Sequence, residues 1–97
     1  MTSAVVFRPE AEAEVLAVRR WYEGRRFALG EEFGAEVDAT VARIVERPLA
    51  FPRVRGETRR AVLTRFPYAL FFRVTNEHIV VLAVHGRQDP SRWHGRS

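Results

Sequence analysis

Apolar residues follow three patterns along the chain: one short run at the N-terminus, then intervals of three and four positions, then short and nearly continuous runs. The N-terminal run, Ala4–Phe7 (AVVF), is β-prone and stops at Arg8 and Pro9. Proline suits the first position of a helix, where its missing N–H is not needed. The pattern therefore predicts a short N-terminal strand that leads directly into a helix.

Two amphipathic helices are predicted after this strand. In the first, apolar residues recur every three or four positions from Ala11 to Tyr22, which predicts a helix over Pro9–Glu23. Gly24–Arg26 is the predicted turn. The second apolar stripe consists of Leu29, Phe33, Val37, Val41 and Ile44. It ends just before Pro48, since the residue preceding a proline disfavours helix, and so short a connection favours an antiparallel helical hairpin.

The remainder of the chain is typical of β-strands. Three runs are rich in β-branched or aromatic residues, namely Ala61–Leu63, Tyr68–Val74 and Ile79–Val84. Short breaks at Phe66-Pro67 and Thr75–Glu77 suit hairpin turns, so the three runs predict an antiparallel meander. The last two runs are apolar at nearly every position, which predicts central strands that are buried on both faces.

The order β-α-α-β-β-β predicts an α+β fold: an N-terminal strand, a helical hairpin and a three-stranded antiparallel meander. Ninety-seven residues with 46% apolar content suit one small domain that spans residues 1–97. Cysteine is absent, which excludes disulfides, thiolate zinc sites and cysteine nucleophiles, and we expect neither a metal nor a cofactor. The apolar run Ile79–Val84 is too short to cross a bilayer. We therefore expect a soluble, cytoplasmic protein with no membrane partner.

Charge is distributed unevenly along the chain. All sixteen basic residues are arginine, against twelve acids, for a net charge of +4. Residues 1–52 carry seven arginines and nine acids, a net of −2, whereas residues 53–97 carry nine arginines and three acids, a net of +6. A basic second half favours an acidic protein or a phosphate backbone as partner. The alternative is the solvated surface of an arginine-rich protein.

A series of motifs in the second half resembles a known family. Arg59-Arg60 precedes Arg65–Tyr68 (RFPY) at the start of an apolar strand, and the next apolar strand ends in His85–Arg87 (HGR). Together with the helical hairpin, this series resembles the RelE/ParE superfamily of bacterial toxins, and most of all its ParE-like, or plasmid-stabilisation, branch. The resemblance covers nearly the whole chain and implies the β-α-α-β-β-β fold.

The resemblance also implies a function. Members of this superfamily are toxins of type II toxin–antitoxin systems, each neutralised by a cognate antitoxin whose disordered segment folds along the toxin. We expect a ParE-like toxin that inhibits growth by binding a target such as DNA gyrase. One alternative is a RelE-like endoribonuclease that cuts ribosome-bound mRNA, and another is a degenerate member that retains only antitoxin binding.

The candidate site residues follow from these alternatives. RNA cleavage needs an acid, a base and cations around the phosphate, for which the candidates are His85, Arg65 and Arg87. The tyrosine that RelE-like enzymes often place after the last strand is missing, and arginine is a poor proton donor or acceptor, so we favour binding over catalysis. The residues expected to bind a target or an anion are Arg59, Arg60, Arg65, Arg73 and Arg87.

Three aromatic residues are candidates for partner contacts: Trp21, Tyr68 and Trp93. Core packing is the alternative for Trp21, which adjoins the apolar stripe of the first helix, and for Tyr68, which begins a strand. Trp93 lies in the predicted loosely structured tail, where it either holds the tail against the rest of the domain or contacts a target protein.

Overall fold

A helical hairpin packs on one face of a five-stranded sheet. The computed structural model describes residues 4–86, and all statements about structure refer to them. The helices are α1 (Pro9–Arg25) and α2 (Leu29–Glu46), and a short 3-10 turn follows at Pro48–Ala50. The strands are β1 (Ala4–Phe7), β2 (Arg53–Arg55), β3 (Thr58–Val62), β4 (Tyr68–Val74) and β5 (His78–Gly86). This arrangement confirms the predicted α+β fold.

The strands lie in the order β1-β5-β4-β3-β2, so the first two strands of the chain form the two edges of the sheet. β1 pairs with β5 in parallel, with Val5 opposite Ile79. All other pairs are antiparallel. β4 and β5 occupy the interior of the sheet, as their continuous apolar runs predict. On β4, Phe71 is 2% exposed and its neighbour Phe72, on the other face, is fully buried.

The predicted three-stranded meander is wrong by one strand. Strands β2 to β5 form a four-stranded meander, and the missed strand is Arg53–Arg55. All three of its residues are exposed and two are arginines, so it carries none of the apolar alternation that predicts a strand. Gly56, at φ 55°, makes the tight turn between β2 and β3. The strand predicted at Ala61–Leu63 begins earlier, at Thr58.

The turn between the helices also differs from the prediction. α1 continues to Arg25, two residues beyond the predicted end, and the chain reverses over residues 26–28. Ala28 adopts the left-handed conformation at φ 71°. The Glu23 carboxylate accepts hydrogen bonds from the backbone N–H groups of Ala28 and Gly30, both at 2.9 Å. A side chain from α1 therefore caps the start of α2, which sequence spacing did not indicate.

The core lies between the hairpin and the sheet. It is built around the buried side chains of Phe33 and Ile44 on α2, Leu70 and Phe72 on β4, and Val81 on β5. A smaller cluster on the opposite face of the sheet consists of Ala69, Phe71 and Ala83, with Val62 against it. Within residues 4–86, neither helix is both long and apolar enough to span a membrane.

Candidate binding surfaces

The basic residues of the second half are concentrated on three neighbouring strands at the β2 edge of the sheet. Arg53 pairs with Arg59, which in turn lies opposite Phe72. Because residues paired across strands share a face, Arg59 points to the hairpin side. Arg60 lies opposite Phe71 and so points to the other side. Alternation along these strands therefore divides the basic residues between the two faces of the sheet.

The arginines on the hairpin side are bound to the protein itself. The guanidinium of Arg59 donates hydrogen bonds from Nη1 to the carbonyl oxygens of Phe51, at 2.7 Å, and Leu49, at 3.4 Å. It thereby holds the segment that follows α2 against the sheet. Arg53 forms an exposed ion pair with Glu57, with Nη1 and Oε2 3.4 Å apart. Arg59 is therefore better explained as a structural residue than as a target-binding one.

Arg60 and Arg73, unlike Arg53 and Arg59, lie on the face of the sheet opposite the hairpin. Arg73 lies two residues beyond Phe71 on β4 and shares its face with Arg60. Within residues 4–86, neither arginine forms an ion pair, and the buried Nε of Arg60 has no hydrogen-bond partner. These two guanidinium groups are available to an anionic partner, and we refer to them as the free arginine pair.

Arg65 is held by α2. Its Nη2 lies 2.9 Å from Oε1 of Glu32, and its Nε lies 3.8 Å from Oε1 of Glu36. Glu36 also accepts hydrogen bonds from the backbone N–H groups of Thr64, at 2.5 Å, and Arg65, at 3.3 Å. Burial alone would raise the pKa of Glu36, but these hydrogen bonds and the charge of Arg65 lower it below its ordinary value. The loop before β4 is thus fastened to α2.

His85 is buried at the end of β5, with 7% of its side chain exposed, and its Nε2 lies 3.2 Å from Oε2 of Glu14. On its outer side, β5 pairs with β1 as far as Val81, which lies opposite Phe7, the last residue of β1. The other carboxylate oxygen of Glu14 accepts the backbone N–H of Val84 at 2.8 Å. Glu14 therefore joins α1 to the end of β5, and His85 contributes to that junction. This placement favours a structural role for His85 over catalysis.

Of the aromatic candidates, Trp21 is on the surface and Tyr68 is packed. Trp21 is 54% exposed, and the guanidinium carbon of Arg25 lies 4.2 Å from its ring centroid. Tyr68 contacts Tyr22 and Phe33 in an aromatic cluster beneath the hairpin. Burial, and then the neighbouring Tyr68, raise the pKa of Tyr22. The third candidate, Trp93, and the candidate arginine Arg87 lie outside the described residues.

Sequence reasoning missed a further aromatic residue. Phe27, in the turn between the helices, is 87% exposed and immediately precedes the left-handed Ala28. Phe27 lies outside the apolar stripes of both helices, and the sequence does not show whether a single apolar residue in a turn is buried or exposed. Phe27 and Trp21 are thus two exposed aromatic side chains of the hairpin, beside the exposed arginines Arg25 and Arg26.

Two depressions follow the outer seam between α1 and α2. The first encloses about 310 Å³ and is lined by Phe7, Glu12, Val15, Leu16, Val37 and Asp38. The second encloses about 400 Å³ and is lined by Leu16, Arg19, Arg20, Glu23, Gly30 and Glu31. Leu16 is shared by both and is 47% exposed. The helices touch at Gly30, where a Cβ would lie 2.5 Å from the carbonyl oxygen of Arg19. The seam offers a partner a partly apolar groove.

Metal-ligating side chains are not grouped in this fold. Within the part of the chain that the structure describes, no three His, Asp or Glu residues come together in a way that would hold a metal ion.

Comparison with solved structures identifies the class of fold. A chain of the chromosomal ParDE toxin–antitoxin system from P. aeruginosa superposes with a TM-score of 0.70 at 16% identity, covering 88% of this chain and 96% of that one. A chain of the toxin–antitoxin complex RelBE2 from Mycobacterium tuberculosis gives a TM-score of 0.60 at 22% identity, covering 90% of this chain and all of that one. At these identities the likeness shows the fold, which is that of the RelE/ParE class.

The sequence itself identifies the family within that class. The family described as the ParE toxin of the type II toxin–antitoxin system parDE matches residues 5–90. The chain therefore belongs to the ParE toxin family. Among curated proteins, no match is found.

Proposed function

We propose that this chain is the toxin of a type II toxin–antitoxin pair, that it arrests growth by binding a protein target in the cytoplasm, and that a cognate antitoxin neutralises it. DNA gyrase is the target we favour, because the chain belongs to the ParE rather than the RelE branch. The observation that carries binding over catalysis is the burial of His85 against Glu14. A general base must reach the proton that it removes, and this imidazole is enclosed.

The target-binding surface in this proposal includes the free arginine pair. Arg60 and Arg73 share the face of the sheet opposite the hairpin, and both lack an ion-pair partner within residues 4–86. Unpaired guanidinium groups attract an acidic protein surface and accelerate association with it. Neither guanidinium group stabilises the fold through an ion pair within residues 4–86. Substitution of both arginines should therefore weaken target binding and leave folding intact.

Expression of the chain alone in a bacterial host tests the toxin assignment. Induction should arrest growth and trigger a DNA-damage response, because a gyrase inhibitor leaves damaged DNA. The double variant Arg60→Gln/Arg73→Gln should permit growth while it accumulates in soluble form. The matched variant Arg26→Gln/Arg47→Gln removes the same charge from exposed positions outside both depressions and should remain toxic. Normal growth after induction of the wild-type chain would contradict a toxin and would favour a degenerate family member.

The antitoxin assignment has a separate test. A short reading frame directly upstream, encoding a DNA-binding protein with an acidic tail, is the expected partner gene. Its co-expression should restore growth, and the two proteins should co-purify as a complex. Failure of every neighbouring reading frame to restore growth would contradict the pairing.

An mRNA endoribonuclease is the second candidate, and the free arginine pair is the observation that favours it. Two unpaired guanidinium groups on one face also suit a phosphate backbone. Primer extension on cellular mRNA after induction should then reveal new 5′ ends, and Arg60→Gln/Arg73→Gln should abolish them. Intact transcripts, together with inhibition of DNA supercoiling by purified chain and gyrase, would eliminate this candidate.

A further inference from the structure

The face of the sheet opposite the hairpin is closed to solvent at one end and open at the other. We call this side the far face, and we call its buried cluster, which consists of Val62, Ala69, Phe71 and Ala83, the far cluster. Val6 also lies on the far face, because it alternates with Val5 and Phe7, which pack in the main core. Phe71 is 2% exposed, whereas the smaller Val6 is 45% exposed. A cover therefore lies over the far cluster but does not extend to β1.

The helical hairpin does not provide this cover. Both helices contribute to the main core on the other side of the sheet, and neither contributes a residue to the far cluster. The stem of Arg60, opposite Phe71 on β3, can cover one edge of the ring. On β5, however, the residue opposite Phe71 is Ala83, which offers only a methyl group. Burial of a phenyl ring on this face therefore requires a further part of the chain above it.

The two ends of the chain approach β5 from opposite directions. Residues 1–3 lead into β1 beside His78, the first residue of β5. Ala83 stands about 17 Å further along β5, but three residues span at most about 11 Å. Residues 87–97 instead follow Gly86, which lies about 10 Å beyond Ala83 on the same strand. The C-terminal segment is therefore the end of the chain that can reach the far cluster.

The sequence of this segment suits a return to the sheet. Asp89-Pro90 is a pair that favours a turn, so it can reverse the chain shortly after Gly86. Trp93 is the only aromatic residue in residues 87–97, and it follows Gly86 by seven positions. That length of chain is more than enough to turn and come back to Ala83. A tryptophan side chain is also large enough to cover a phenyl ring and two neighbouring methyl groups.

We propose that residues 87–97 fold back over the far face and that Trp93 packs against Phe71, where it covers the far cluster. Of the two roles that the sequence leaves open for Trp93, this placement assigns it to holding the tail against the domain. The segment carries three arginines and one acid, so it would add positive charge to the face that holds the free arginine pair. The placement goes beyond the proposed function and does not depend on it.

The fluorescence of Trp93 tests this placement in the full chain. The protein contains two tryptophans, and Trp21 is exposed, so Trp21→Phe leaves Trp93 as the only tryptophan and does not disturb the core. In this single-tryptophan chain, acrylamide should quench Trp93 with a constant several-fold lower than in the urea-unfolded chain. Its emission should also lie at shorter wavelength. A quenching constant equal to that of the unfolded chain would overturn the proposal.

Two substitutions in the single-tryptophan chain locate the contact. Phe71→Ala should raise the quenching constant several-fold toward the unfolded value, because it removes the ring on which Trp93 packs. Phe71→Leu keeps an apolar side chain and the fold, and it should raise the constant by a smaller factor. The control Leu16→Ala removes an apolar side chain from the outer seam of the hairpin and should leave quenching unchanged. A rise for Leu16→Ala with none for either Phe71 variant would place Trp93 on the hairpin and overturn the proposal.

Dilution separates the C-terminal segment from a second copy of the chain as the cover. Protection of Trp93 within one chain should not change with protein concentration, and sedimentation should report a monomer wherever protection is measured. Loss of protection on dilution would show that a second copy covers the far face, which would also overturn the proposal. Circular dichroism shows whether each variant is folded. The growth assay remains independent, because a chain that arrests growth with an unprotected Trp93 keeps the toxin assignment and loses this placement.

Discussion

The helical hairpin and the strands at the β2 edge use charge in opposite ways. The hairpin, residues 9–46, carries nine acids and five arginines, and the exposed carboxylates of Glu12 and Asp38 lie at the first depression on its seam. On the sheet, the guanidinium groups that form no ion pair within residues 4–86 are those of Arg55, Arg60 and Arg73. The two surfaces lie on different sides of one small domain, because Arg60 and Arg73 share the face of the sheet opposite the hairpin. A ParE-family toxin with separate surfaces for antitoxin and target fits this separation.

The comparison also separates charges that hold the fold from charges that do not. Glu36 and Glu23 bind backbone N–H groups across elements, and Arg59 binds backbone carbonyl oxygens. Buried or partly buried bonds of this kind contribute to stability. The charges of Glu12, Asp38 and the free arginine pair make no such bonds within residues 4–86. Substitutions at the first group should change folding, and those at the second should change binding.

The largest expected effect is on the stability of the whole fold, on which both surfaces depend. Phe33 is fully buried on α2 and contacts Phe66 and Tyr68 on the sheet side. Phe33→Ala should lower the free energy of unfolding by about 3–5 kcal/mol, since it removes a large core side chain and leaves a cavity. Urea denaturation followed by circular dichroism measures this loss. Retention of near-wild-type stability would show that the hairpin does not depend on this contact.

The next effect concerns the link between α2 and the loop before β4. Glu36→Gln should lower the free energy of unfolding by about 1–3 kcal/mol at neutral pH, because the backbone N–H groups of Thr64 and Arg65 lose a charged acceptor. The pKa of Glu36 is lowered by folding, so its stabilisation is present above the ordinary pKa of a glutamate and disappears as pH falls through the lowered value. The free energies of unfolding of wild type and variant should therefore converge as the pH falls through the lowered pKa of Glu36, and a constant difference would contradict the assignment.

A smaller effect, of opposite sign, is expected at the hairpin turn. Ala28 has φ 71°, a conformation that costs a residue with a Cβ about 1–2 kcal/mol relative to glycine. Ala28→Gly should therefore raise the free energy of unfolding by about 1 kcal/mol, after allowance for the greater flexibility of glycine in the unfolded chain. Thermal unfolding measures the change. Ala42→Gly, on the exposed side of α2, is the control and should destabilise.

The smallest effect is expected at an exposed ion pair on the β2 edge. Arg53 and Glu57 approach to 3.4 Å, but most of each side chain is exposed. Glu57→Gln should change the free energy of unfolding by less than about 0.5 kcal/mol, because solvent and salt screen such pairs. A loss above 1 kcal/mol would show that charges on this edge also support the fold, and would weaken the distinction between the two groups of charge.

Periodic apolar residues predicted most of this fold. The stripes of α1 and α2 and the continuous runs of β4 and β5 gave the hairpin and the interior strands, since burial determines their composition. β2 could not be predicted because it is an exposed edge of three residues, and its place in the sheet depends on pairing with β3. The end of α1 was misplaced because Glu23 caps α2 from a distance of five residues along the chain.

The candidate site was less predictable than the fold. A sequence shows that arginines are numerous, but it does not show which of them bind the protein itself. Arg59 and Arg65 are bound to main-chain carbonyl oxygens and to α2, whereas Arg60, one residue from Arg59, points to the other face. The first depression on the helix seam could not be predicted because its lining residues come from β1 and two helices and lie together only in the folded hairpin. The roles predicted for Arg87 and Trp93 stay predictions.

The pairing of β1 with β5 makes the order of synthesis important for this protein. Val5 emerges from the ribosome early, but its partner Ile79 follows about 70 residues later, which takes about 4–14 s at typical elongation rates. During that interval the hairpin can form from local contacts, while the apolar face of β1 has no sheet to join. We expect the nascent toxin to remain incomplete until β5 is made. An antitoxin that is synthesised first would then be present before the toxin surface that it binds is complete.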